Sequence, residues 1–240
     1  MVLSKYDLIS PSPYYMDGVG HIKAVKLSEI DALFDKVATY DAYTAIVSGN
    51  ASTYVKLFKL EDADEKTAYE ILTHYREVTN WALLAYNFFF TEEVVYLDDH
   101  KQFVLYDKES DNVTGYITEK NFEEVSSVIL QRCALSGGDR KAEEPKFKNE
   151  KARRNYEKMY GKTPKDYADK ENYDLGNIIA HLAAKGDGLN ILNIWDMSVY
   201  NVYDQFMIAR KLEAHEVTAT SLAVWGDKEN KIDLDSWYKK

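Results

Sequence analysis

The stretch Leu189 to Leu212, LNILNIWDMSVYNVYDQFMIARKL, constrains the fold of this chain more than any other part of it. Leu192, Trp195, Val199, Val202, Phe206 and Ala209 recur at steps of three and four. That spacing sets them on one face of a helix. Tyr200, Tyr203 and Met207 widen the stripe towards a second neighbour. Ser198 stands where a hydroxyl can accept from an unpaired N–H of the first turn. Arg210 and Lys211 lie where the helix dipole favours cations. The pattern predicts a helix from about Val199 to Ala214, preceded by a short helical turn around Ile191 to Trp195. The stripe reads first as core and second as a partner-binding face.

Such a helix needs a body to pack against, and the composition supplies one. The 240 residues are 45% hydrophobic and 29% charged, a balance that can bury a core. The net charge of -10 argues against general nucleic-acid binding, which needs cations to displace counterions from phosphate. Cys133 is the one cysteine, so no internal disulfide framework is expected and a reducing compartment fits. The opening MVLSKYDLIS lacks a basic segment followed by a long apolar one, so no secretory signal is expected. The longest apolar run, Trp81 to Phe90, is too short to span a bilayer. Tyrosine, at 19 residues, suits interfaces because the ring packs while the hydroxyl stays wet.

Taken in order, residues 1–18 read as extended or loop, with Pro11 and Pro13 excluding a helix. Val19 to Val25 reads as a short strand. Ser28 and Asp31 form an S-x-x-D cap for a helix carrying Ile30, Leu33, Phe34, Val37 and Tyr40, which ends at Gly49-Asn50. Ala51 to Leu60 reads as a short helix with Tyr54, Leu57 and Phe58 on one face. Asp64 or Glu65 opens another, striped by Ala68, Ile71, Leu72, Tyr75 and Val78. WALLAYNFFF at Trp81 to Phe90 is apolar nearly all round, as in an element buried on several sides. VVYLDD, QFVLYD and VTGYIT are three β-prone runs separated by turn residues, and predict an antiparallel meander near residues 94–118. A helix follows from Thr118 or Asn121, with Phe122, Val125, Val128 or Ile129, and Arg132 or Cys133 on its spacing. Residues 136–172 are charged and poor in aliphatics; part, near Pro145 to Tyr160, reads as helical. Asp174 caps Leu175 to Lys185, and Gly186-Asp187-Gly188 stops that helix. The fold class is mainly α with a small antiparallel β-meander, an α+β chain. Its expected parts are residues 1–135, a charged arm or linker at 136–172, and a C-terminal helical part at 173–240.

Residue chemistry points to no reaction. His21, His74, His100, His181 and His215 show no metal-site spacing. Asp98-Asp99-His100 is the one acidic cluster with a histidine, and reads as a solvated hairpin tip rather than a metal site. Glu92-Glu93 and Glu123-Glu124 are neighbours whose side chains point apart, so neither is by itself a catalytic pair. Cys133 reads as a small buried hydrophobe. Gly18-Val19-Gly20 is a turn, not a phosphate loop. No cofactor or metal is expected, and the chain is expected to be no enzyme. Lys146 to Lys165 holds eight Lys or Arg against two Glu. This local reversal of charge could dock an acidic partner, although a solvated helix is the simpler reading.

The order of segments carries a resemblance. The residues are GHIKAVKLSEI at Gly20 to Ile30, Phe88 to Phe90 followed by Val94-Val95-Tyr96, and ITEKNFEEVSSVI at Ile117 to Ile129. After the charged arm come DLGNIIAHLA at Asp174 to Ala183, NIWDMSVYNVYDQF at Asn193 to Phe206, and IDLDSWYK at Ile232 to Lys239. In these the chain resembles tail-morphogenesis proteins of phages and prophages of Gram-positive bacteria, of the tail assembly chaperone type. The resemblance implies a factor that binds the tape-measure or other tail proteins in the host cytoplasm, with self-association a further expectation. Its alternative is a structural virion component of the tail, neck or baseplate. Arg153 and Arg154 in the charged arm and Trp237 and Tyr238 at the end are the expected partner-binding residues.

Overall fold

The structure, a computed structural model, describes residues 1–61, 63, 66–110, 112–135, 174–186 and 188–226. Helix α1 (Lys5–Ile9) opens the chain. It is closed by a capping box: the Ser4 hydroxyl accepts from the Asp7 N–H at 3.2 Å, and the Asp7 carboxylate accepts from the Ser4 N–H at 3.2 Å. The expectation of extended chain throughout residues 1–18 is corrected here. Pro11 and Pro13 end α1 but do not reach back to prevent it.

Strands β1 (Tyr14–Met16) and β2 (Gly20–Ile22) then form a hairpin pairing Tyr14 with Ile22 and Met16 with Gly20. Helices α2 (Leu27–Asp31), α3 (Lys36–Val47), α4 (Ala51–Phe58), α5 (Ala68–His74) and α6 (Arg76–Phe89) follow. Strands β3 (Glu93–Leu97), β4 (Gln102–Tyr106) and β5 (Val113–Ile117) make the antiparallel meander, with Val94 opposite Leu105 and Val104 opposite Tyr116. Helix α7 (Phe122–Arg132) leads out of it. Beyond the charged arm lie α8 (Leu175–Lys185), a 3-10 turn at Ile194–Asp196, and α9 (Val199–Trp225). The fold is α+β, mainly helical with two small antiparallel sheets.

Several local expectations give way to tertiary constraint. The helix starting near Ser28 begins at Leu27, and Glu29, not Asp31, caps it by accepting from the Lys26 N–H at 2.8 Å. It does not continue through Phe34. The chain breaks between α2 and α3, where Lys36 takes a positive φ of 39° and Phe34 stands fully in solvent. Leu57 likewise is exposed. The helix placed at Asp64 or Glu65 starts instead at Ala68, where the Thr67 hydroxyl and Glu70 form the capping box. Its stripe is split at Tyr75, whose ψ of 112° is extended. The Thr79 hydroxyl bridges that break by donating to the Leu72 carbonyl at 2.7 Å. Trp81 to Phe89 is helical within α6, burying Ala82, Ala85, Tyr86 and Phe89 while Leu84 reaches water, and Phe90 is its extended C-cap, bridged to Ile22.

The first hairpin is locked into the molecule from two sides. The Lys23 N–H donates to the Phe89 carbonyl at 2.8 Å, and the Thr91 N–H donates to the His21 carbonyl at 3.1 Å. On the other side the Tyr116 N–H reaches the Gly18 carbonyl at 3.0 Å. Gly115 makes that approach possible, because a Cβ there would lie 2.4 Å from the Gly18 and Val19 carbonyl oxygens. Among the described residues the buried apolar side chains, Val104 apart, form one continuous cluster that runs from Leu3 to Ala209 and takes in α3, α6, the meander, α7, α8 and α9. Among the described residues no helix is long and apolar enough to cross a membrane.

Candidate functional site

The C-terminal helices are positioned by a chain of local devices. Helix α8 buries Leu175, Ile178, Ile179 and Leu182, and stops at Gly186, whose φ of 75° is left-handed. The Asn190 side chain then accepts from the Leu192 N–H at 2.8 Å, and the Trp195 indole donates to the Ile191 carbonyl at 2.8 Å. These contacts wind the loop into the 3-10 turn. Ile194 goes into the core, whereas Leu192, expected on the buried stripe, is exposed. The Ser198 hydroxyl caps α9 by accepting from the Asn201 N–H at 3.2 Å, as the sequence predicts. The same junction is stitched to the chain before α2. The Leu27 N–H donates to the Met197 carbonyl at 3.0 Å, and the Val199 N–H donates to the Val25 carbonyl at 2.8 Å.

Val199, Val202, Phe206 and Ala209 are buried on one face of α9, so the stripe holds from the first turn of the helix onward. The helix itself runs eleven residues past the expected end at Ala214, to Trp225. Past Ala209 none of its described side chains is buried, and Val217 and Val224 are exposed. Near Ala209, α9 and α8 border a small groove lined by Leu182, Lys185, Leu189, Gln205, Ile208, Ala209 and Leu212. Polar contacts rim it. Glu213 takes the Lys185 ammonium at 3.2 Å and His181 Nε2 at 3.3 Å. The Lys185 ammonium, through its hydrogen bond first of all, and then the His181 ring hold the Glu213 carboxyl below the ordinary value of 4.5. The His181 ring stands edge-on to Phe206 with centroids 5.4 Å apart.

The first two turns of α9 carry the chain's opening residues. Lys5 pairs with Asp204 and reaches the Tyr200 hydroxyl at 3.4 Å. Asn201 Nδ2 donates to the Ile9 carbonyl at 3.1 Å. Arg132 of α7 is buried against the same segment, donating to the carbonyls of Asp7 at 2.8 Å, Ser10 at 3.4 Å, Ser12 at 2.8 Å and Lys23 at 3.2 Å. Burial lowers its pKa from the ordinary 12.5, yet a guanidinium stays charged at any working pH.

Other groups singled out by chemistry resolve into structural roles. Asp98, Asp99 and His100 form an exposed 3-10 turn between β3 and β4, with Lys101 bridging to Asp98 at 2.6 Å. Among the described residues no group of three or more His, Cys, Asp or Glu is placed to hold a metal ion. Glu92 and Glu93 face opposite ways, Glu92 buried and Glu93 exposed. Glu92 is saturated by donors: the His21 N–H at 3.0 Å, His21 Nδ1 at 2.7 Å and the Thr91 hydroxyl at 3.0 Å. It locks β2 to the start of β3. Cys133 is buried at the end of α7, in keeping with a small core hydrophobe. Sequence reasoning missed the Glu92–His21 lock and the role of Arg132, because their partners lie 71 and up to 125 positions away. Arg153, Arg154, Trp237 and Tyr238, and the helix expected near Pro145 to Tyr160, lie outside the described residues.

Residues 165–240, which include α8 and α9, match the family described as the YomV second domain. YomV is a Bacillus phage or prophage protein, so this part of the chain is similar to a phage protein domain. Neither the curated proteins nor the solved structures provide a match.

Proposed function

We propose that this protein is a non-enzymatic assembly factor of a phage tail, a chaperone that binds the tape-measure protein in the host cytoplasm while the tail is built. The observation that carries this reading is the α8–α9 unit. It lies in the region similar to a phage protein domain. It presents a small groove at Leu182, Lys185, Leu189, Gln205, Ile208 and Leu212, and past Ala209 no described side chain of the helix is buried. A groove of this size suits an apolar side chain projecting from a partner helix, and so limited a contact suits a partner that must later be released. The polar rim at Lys185 and Glu213 gives such a contact direction without great affinity.

Co-expression with a phage tape-measure protein tests the proposal. The expected outcome is a soluble complex that co-purifies, and that is weakened at least about tenfold by Ile208→Asp combined with Leu212→Asp, a loss of about 1.4 kcal/mol. A tape-measure protein that stays insoluble, with no complex, overturns it. Mass spectrometry of purified particles supplies the second arm: a chaperone is absent from mature virions, whereas a component of the tail, neck or baseplate is present in them.

A further inference from the structure

We infer that residues 1–12 are a releasable strap, closed over the seam between α7 and α9 and able to open while the core stays folded. Leu3 is the one side chain of this segment that is buried, and α1 buries none, its Leu8 being only half-buried against the core. The rest of what holds the segment is mainly polar. Arg132 donates to the carbonyls of Asp7, Ser10 and Ser12. Gln131 accepts from the Leu3 N–H at 2.8 Å and donates to the Met1 carbonyl at 3.0 Å. Asn201 donates to the Ile9 carbonyl, and Lys5 pairs with Asp204 on α9. Hydrogen bonds of this kind exchange for water at small net cost, whereas the apolar cluster beneath cannot. The strap therefore sits at the low end of the molecule's range of local stabilities.

The geometry also makes the segment move as a unit. Its attachments alternate between α7 and α9 along its length, so it bridges two elements far apart in sequence. Pro11 and Pro13 stiffen the exit into β1 and set the swing point just past Ser12. Arg132 keeps its bond to the Lys23 carbonyl at 3.2 Å when the strap leaves, which holds the guanidinium in place for reclosing. Opening uncovers that guanidinium, Gln131, and the Tyr200, Asn201 and Asp204 edge of α9. The strap thus regulates access to the first two turns of α9, ahead of the α8–α9 groove, and it stands whether or not a tape-measure protein is the partner.

Thiol labelling of the full-length chain tests this. Leu3→Cys places a reporter at the buried point of the strap, and Cys133, which is buried in the core, reports global opening of the same molecules. The expected result is labelling of the introduced thiol at least about tenfold faster than Cys133, at a rate nearly independent of low urea. Adding Lys5→Gln then raises the first rate several-fold and leaves the second unchanged. Hydrogen exchange of the unsubstituted protein gives the same readout at the Leu3 amide, which donates across to Gln131 of α7, against the amides of β4. If both thiols label together with the same urea dependence, or the Leu3 and β4 amides exchange together, the strap opens only by global unfolding and the inference is overturned.

Discussion

Arg132 shows how one side chain can hold a segment without any carboxylate. Its four main-chain acceptors come from Asp7, Ser10, Ser12 and Lys23, and its guanidinium is buried. A buried cation normally needs a counter-ion, but a planar fork of donors can be satisfied by carbonyl dipoles when they converge from several directions. Arg132→Met keeps the apolar stem and strands those carbonyls. The expected loss is about 1–2 kcal/mol, because the carbonyls of Asp7, Ser10 and Ser12 can turn to water as the strap opens. Urea unfolding of the variant against the parent chain measures it. A midpoint shift equivalent to less than about 0.5 kcal/mol, the size of an ordinary surface substitution, would show that water replaces the guanidinium without penalty.

At the scale of elements, α8 and α9 are joined by apolar contact at their base and by charge at the groove. Glu213 has a folded pKa below its ordinary value because Lys185, and then His181, favour the carboxylate. A depressed carboxylate contributes stability that is present above the unfolded value and lost as pH falls through the folded value. The contact between α8 and α9 is therefore expected to loosen on acidification below pH 4.5, the ordinary value of this group. Hydrogen exchange of α8 amides across that interval reads the change. Glu213→Gln should remove that pH step, since the amide does not titrate, while leaving the pH response of β4 as it was. An unaltered step in the variant would assign the acid sensitivity elsewhere.

At the scale of the whole molecule, the core holds several tyrosines that must stay neutral. Burial pushes the Tyr40, Tyr54, Tyr69 and Tyr86 hydroxyls above the ordinary value of 10.0. Tyr54 donates to the Ile46 carbonyl, and Tyr69 donates to the Lys101 and Ile117 carbonyls at 2.7 and 3.0 Å. Because their folded pKa values lie above the unfolded one, the stability they contribute is fully present below pH 10.0 and is lost as pH rises beyond it towards the folded values. Alkaline titration followed by tyrosinate absorbance should therefore show two classes: exposed rings ionising first, and these four only together with cooperative unfolding. A single non-cooperative class with no loss of helical signal would contradict it.

How much of this was legible beforehand differs by kind of feature. The meander, α7, α8 and the start of α9 followed from periodicity and caps, because Val94 to Ile117, Phe122 to Ile129, Ile178 to Leu182 and Ser198 to Ala209 each carry a pattern that only one type of element can bury. Helix α1 was legible too, in Ser4 and Asp7, but the prolines after it masked the signal. The breaks at Lys36 and Tyr75 were not legible. Helical spacing continues across both, and only the need to turn α3 and α6 onto a shared core interrupts the backbone. Nor was the site: the groove needs Leu182 beside Ile208, and the strap needs Asp7 beside Arg132. The sequence by itself determined the meander, α7, α8 and the first turns of α9 with the faces they bury, since those depend on neighbours within a few residues. Tertiary structure alone decided where Leu189 to Leu212 would sit. It divided that stretch into an exposed Leu192, a buried Ile194 and a helix pinned between α8 and the first twelve residues, because its packing is set by partners outside the reach of local periodicity, 195 and 192 positions away for Lys5 and Ile9.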